Sequence, residues 1–99
     1  MQQSYEELVE KIKAWGREKQ ISNPTAQVVK VMEELGELSA DFLRCKDMSD
    51  DLGDVMVTLI ILADILGYDL RQCLGSAWAE IEKRVGVTEN GCFIKKGIE

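Results

Sequence analysis

Between Leu52 and Leu66 only Gly53, Asp54, Thr58 and Asp64 interrupt a run of apolar residues. A helix so apolar on nearly every side must be enclosed by other elements, so this segment is predicted as the central, most buried helix. Its most apolar part, Val55 to Ala63, contains Thr58 and is bounded by Asp54 and Asp64. It is too short to cross a bilayer. The chain has 99 residues, room for one domain spanning 1–99, and its apolar share of 45% suits a globular protein. A bundle this short with so apolar a central helix is expected to complete its core by self-association.

The rest of the chain is punctuated for helices. Ser4 and Glu7 have capping-box spacing, and Tyr5, Leu8, Val9, Ile12 and Trp15 recur at helical intervals as far as Gln20. Asn23-Pro24 pairs a capping residue with proline at the first helical position. The stripe Val28, Val31, Met32, Leu35, Leu38 and Phe42 carries that second helix to Arg44. Ser49 is expected to cap the central helix and Gly67 to end it. Asp69 and Gln72 start a fourth, with the stripe Leu74, Ala77, Trp78, Ile81 and Val85 ending at Gly86. Asn90-Gly91 signals a tight turn before Cys92-Phe93-Ile94, which can pair as a hairpin or dock. The expected class is all-α, an antiparallel four-helix bundle with a short C-terminal tail or hairpin.

Composition removes whole classes of chemistry. There is no histidine, hence no imidazole base, Ser-His or Cys-His pair, or His-ligated zinc. Cys45, Cys73 and Cys92 are odd in number and far apart, which suits neither a disulfide framework nor a zinc site and implies a reducing, cytoplasmic setting. No signal sequence is expected from Met1 to Glu7. A net charge of −6 and a pI near 4.7 argue against a nucleic-acid polymer as partner. A single nucleotide stays open, because a divalent cation can stand between carboxylates and phosphate.

Two acidic clusters stand out. Glu33, Glu34 and Glu37 lie in the second helix, and Asp51 and Asp54 begin the third. Glu34/Glu37 and Asp51/Asp54 are spaced three apart, so each pair shares a helix face within reach of one ion. Asp54 lines up with Thr58, Ile61 and Ile65, core-type residues, and no Lys or Arg lies between residues 47 and 70. Carboxylates gathered in a partly dry site need a positive centre, and oxygen ligands favour Mg²⁺ or Mn²⁺. The competing reading makes Glu33, Glu34, Glu37 and Asp41 a solvated face, with Lys30 pairing Glu34, and makes Asp50 and Asp51 first-turn acids suited to the helix dipole. Gly36 and Gly53, each inside an acid pair, allow a ligand or another helix to approach closely.

Glu33-Glu34-x-x-Glu37, then thirteen residues, then Asp51-x-x-Asp54 resembles the signature of MazG-like nucleotide pyrophosphohydrolases, of the all-α NTP pyrophosphatase superfamily. The likeness extends through Ala14-Trp15, Glu34 to Leu38, and Trp78 through Arg84 to the late Gly-x-Phe-Ile-Lys. It implies Mg²⁺-dependent hydrolysis of nucleoside triphosphates to monophosphate and pyrophosphate, by a metal-activated water attacking the α-phosphate. Carried over by position, Glu34, Glu37, Asp51 and Asp54 would be metal ligands, with Glu33 beside them as a base or supporting group. Asp51 stands where the family usually has the longer Glu, so a water can bridge its gap to the ion. With no histidine, Glu33 or Glu37 is the proton acceptor.

Lys83 and Arg84, and the tail's Lys95 and Lys96, are candidates for phosphate contacts, with helix-end placement as the alternative for Lys83 and Arg84. Trp15 and Trp78 can stack on a base or pack in the core; Trp15 is the base-binding candidate. A homodimer or homotetramer is expected, with the active site bordering the subunit interface. The alternatives are a pyrophosphohydrolase specific for phosphoribosyl-ATP or dUTP, and a non-catalytic acidic helical module that binds a partner protein.

Overall fold

The computed structural model describes residues 2–97. Four helices and one two-stranded hairpin make up the described chain, α1 (Tyr5–Glu18), α2 (Pro24–Leu43), α3 (Ser49–Leu66), α4 (Leu70–Ile81), β1 (Gly86–Glu89) and β2 (Cys92–Lys95). The class is all-α, as expected. The chain divides into two compact units, one ending at Tyr68 and the other beginning at Asp69.

In the first unit α3 is the shared element, packed against both α1 and α2. It supplies the buried apolar residues Ile60, Ile61 and Ala63; burying an isoleucine contributes about 1.5–3 kcal/mol. Gly16 lets α1 come close, for a Cβ there would lie 3.3 Å from Ile61 Cγ1. Arg17 at the end of α1 donates two hydrogen bonds to Asp64 of α3, at 2.9 and 2.5 Å. That fork ties the two helices at the rim.

The helix starts follow the expected chemistry with one exception. Ser4 and Glu7 form the reciprocal capping box of α1. Asn23 Oδ1 accepts from Ala26 N–H at 3.1 Å, with Pro24 opening α2. Ser49 does not cap α3. It is already helical, the cap is Met48 without a side-chain bond, and Ser49 turns back to Asp47 through its N–H and hydroxyl. Asp47, two residues before it, captures the hydroxyl that would have served as the cap.

All three helices of this unit close in the same way. Ile21 N–H reaches Gly16 O, Lys46 N–H reaches Asp41 O, and Tyr68 N–H reaches Ala63 O, each at 2.9 Å. The residue before each of these donors is left-handed, with φ of 60° at Gln20, 58° at Cys45 and 77° at Gly67. Glycine suits that conformation; Gln20 and Cys45 adopt it without glycine's freedom.

In the second unit, Asp69 caps α4 by accepting from Arg71 and Gln72 N–H. The helix ends at Ile81, earlier than the expected stop at Gly86, and Lys83 and Arg84 lie in the turn beyond it. The stripe expected to be core on α4 is exposed within its unit at Leu74, Trp78 and Ile81. Strands β1 and β2 pair antiparallel, with Glu89 opposite Cys92 across Asn90-Gly91, both left-handed, so the tail is a hairpin. Among the described residues no helix is long and apolar enough to cross a membrane.

Candidate active site

Helices α2 and α3 run antiparallel, so the C-terminal half of α2 lies beside the N-terminal end of α3. Gln27 Nε2 donates to Thr58 O at 3.1 Å in the buried part of the pair. The carboxylates Glu34, Glu37, Asp41, Asp51 and Asp54 gather toward the other end of the pair.

Asp51 is the centre of the first group. It is 7% exposed, and that burial is the main cause that pushes its carboxyl up to about 6. A hydrogen bond shared with Asp41 and the negative charges of Asp41, Asp54 and Glu37 act in the same direction. Asp41 is half-buried and belongs to this group, not to a solvated face. The sequence signal was present, since Asp41 follows Glu37 by one turn on the face toward α3.

The expected burial of Asp54 is corrected. Asp54 is exposed and Asp51 is buried. Asp51 precedes Thr58 by seven residues, two turns of helix, and sits over that buried residue, whereas Asp54 opens into a cavity. Glu34 departs from the solvated-face reading in the opposite sense. It is 9% exposed, Lys30 Nζ lies 3.6 Å from its Oε1, and its Oε2 is buried with no hydrogen-bond partner. Glu33 and Glu37 are exposed. A Cβ at Gly36 or Gly53 would meet nothing within 4 Å, so no described segment closes on either.

Beside this acidic end lies a cavity of about 610 Å³ within the first unit. Trp15, Ile21, Val57 and Ile61 give it apolar walls; Gln20, Ser22, Asn23, Gln27 and Thr58 add neutral polar groups; Lys30, Glu34 and Asp54 are its charged members. The lining residues of α2 run 23, 26, 27, 30, 34, so neutral groups stand at the α1–α2 loop and charged ones about two turns further along. Trp15, half-exposed, lines this cavity and is not sealed in the core.

Does the donor set suit a divalent ion? Among the described residues no three Asp, Glu, Cys or His side chains already close around one point. The chemistry nonetheless fits. The ligands are hard oxygens, Glu34 Oε2 is a buried acceptor lacking a donor, and Asp51 holds a negative charge at unfavourable cost. Each is what a cation would satisfy. Lys83 and Arg84, the phosphate candidates, belong to the second unit and are exposed.

No family model matches the chain. An uncharacterized 18.2 kDa protein from the rep-hol intergenic region of Haemophilus phage HP1 is 33% identical over 63 residues. The match covers 59% of this chain, which spans only 39% of the phage protein's length. Among solved structures, the cyanophage S-2L MazG-like pyrophosphohydrolase, bound to dGDP and three catalytic Mn²⁺ ions per active site, aligns with a TM-score of 0.70. It is 26% identical, and the alignment covers 97% of this chain and all of that one. With that likeness along almost its whole length, and with the acidic signature on its second and third helices, the chain has the fold of a MazG-like pyrophosphohydrolase.

Proposed function

We propose that the chain hydrolyses nucleoside triphosphates to monophosphate and pyrophosphate, with Mg²⁺ or Mn²⁺. The observation that carries this reading is the buried, partnerless Oε2 of Glu34, which stands where the acidic end of the hairpin meets a largely apolar cavity. A non-catalytic acidic module has no need of a desolvated carboxylate beside a cavity. The cyanophage pyrophosphohydrolase, with dGDP and Mn²⁺ bound, supports nucleotide and divalent metal as the ligands.

In this reading Glu34, Glu37, Asp51 and Asp54 hold the metal, and Asp41 supports Asp51 from behind. When bound, divalent ions polarise the α-phosphate and lower the pKa of water. Glu33 and Glu37, both exposed, take up the proton of the attacking water, for no imidazole exists to do so. Lys30 exchanges its Glu34 partner for a phosphate oxygen, and Trp15 packs against the base. Lys83 and Arg84 remain phosphate contacts by resemblance. Val29, Met32 and Leu43 of α2, all at least half exposed, and Leu52 of α3 are covered by a second copy in a homodimer or homotetramer.

The test is release of pyrophosphate against orthophosphate from a panel of nucleoside triphosphates with Mg²⁺ or Mn²⁺. Wild type should release pyrophosphate, and Glu37→Gln should lose at least about a hundred-fold. Orthophosphate as the sole product, or full activity in the variant, refutes the assignment.

A further inference from the structure

We infer that Asn23 and Gln27 form a fixed donor–acceptor pair that reads one edge of the nucleobase. The inference rests on the nucleotide reading above and extends it to recognition.

Both residues line the cavity and stand one helical turn apart at the start of α2. Each side-chain amide has one half committed to the backbone. Asn23 Oδ1 accepts from Ala26 N–H, as the helix cap requires, which leaves Nδ2 as the group Asn23 offers. Gln27 Nε2 donates to Thr58 O, which leaves Oε1 as an acceptor. Thr58's hydroxyl cannot satisfy that oxygen, because it donates to Val55 O at 2.7 Å. No described residue donates to Gln27 Oε1, and that atom is not sealed off as Glu34 Oε2 is, so it stays open to a donor from a ligand although the residue as a whole is buried. Neither amide can flip without breaking a backbone bond, so donor and acceptor are set before any ligand arrives.

Their position suits a base. Gln27 lies seven residues before Glu34, about 10 Å along the helix, and the apolar wall between includes Val57 and Ile61. A nucleotide whose phosphates meet the acidic end would extend its base toward this pair. Each nucleobase has an edge with an acceptor next to an N–H, which the pair complements. The deeper acceptor takes the N–H and the exposed donor meets the acceptor.

Binding decides this without turnover, using the four deoxynucleoside monophosphates in Mn²⁺ by calorimetry, with deoxyribose 5-phosphate as the base-free control. Asn23→Ser keeps a capping oxygen and removes Nδ2. Gln27→Met keeps length and removes both polar atoms. Each should weaken the monophosphates by about five-fold, and in every case by more than two-fold, and leave deoxyribose 5-phosphate unchanged. Losses below two-fold, or equal losses for the base-free control, overturn the pair. If Gln27→Met does not fold, the surface variant Asn23→Ser decides alone. A wild type that binds none of the monophosphates and releases no pyrophosphate overturns the functional reading itself, a result distinct from variants that bind as wild type does.

Discussion

Replacing Glu34 with methionine should invert the order of stability between metal-free and metal-loaded protein. Glu34 is 9% exposed and its Oε2 has no partner, and a buried acceptor left unsatisfied costs about 1–3 kcal/mol. Methionine is unbranched and nearly as good a helix former as glutamate, so the variant removes that cost at little expense to α2. It also loses the pair with Lys30, 3.6 Å away across one turn, about 0.3–0.5 kcal/mol. The net gain in metal-free protein is about 1.5 kcal/mol at mid-range. For a chain of this size that raises the midpoint by roughly 6–12 °C. Mn²⁺ at about a hundred times its dissociation constant stabilises the native state by about 2.7 kcal/mol. Wild type receives that stabilisation and the variant loses most of it, so wild type becomes the more stable. Thermal unfolding in chelator and in Mn²⁺ measures both. A variant less stable than wild type in chelator refutes the orphaned-carboxylate argument. Equal stabilisation of both proteins by Mn²⁺ refutes Glu34 as a ligand.

Other consequences are equally direct. Asp51 titrates at about 6 in the folded chain, above its ordinary value of 3.8, so its contribution is full below pH 4 and is lost as pH rises through 6. Metal-free wild type should melt at falling temperature across that window, and Asp51→Asn should flatten the trend. Arg17 holds the Asp64 carboxyl below the usual range, so the opposite sign applies: this stability is present above about pH 4 and lost on further acidification. Arg17→Ala should remove that acid-side loss and, because Arg17 is largely exposed, lower the melting temperature only slightly at neutral pH. Cys45→Gly should stabilise by about 1 kcal/mol, since Cys45 is exposed and left-handed at the end of α2; an unchanged melting temperature argues against strain there.

Helix existence was legible because capping chemistry and apolar spacing agreed at Ser4, Asn23, Asp69 and along Leu52–Leu66. Which acid is buried was not. Period alone put Asp54 on the core stripe, but burial at a helix's first turn depends on what the neighbouring helix places opposite it, and α2 puts Glu37 and Asp41 against Asp51. Glu34 stood open between a metal ligand and a solvated residue for the same reason, since its exposure is set by α3 and not by its own helix. The closures at Gln20 and Cys45 were also hidden, because neither residue type advertises a left-handed backbone. The four-residue signature spacing is read from sequence position alone and does not depend on which side chain is drier.

Because one uninterrupted helix carries the groups at both ends of the cavity, from Asn23 to Glu34, α2 works as a ruler of fixed length. Inserting a single residue between them would rotate one set by about 100° against the other. Engineers seeking to accommodate a larger or smaller ligand must therefore exchange side chains along that helix, and confine any change of chain length to the connection at 44–48.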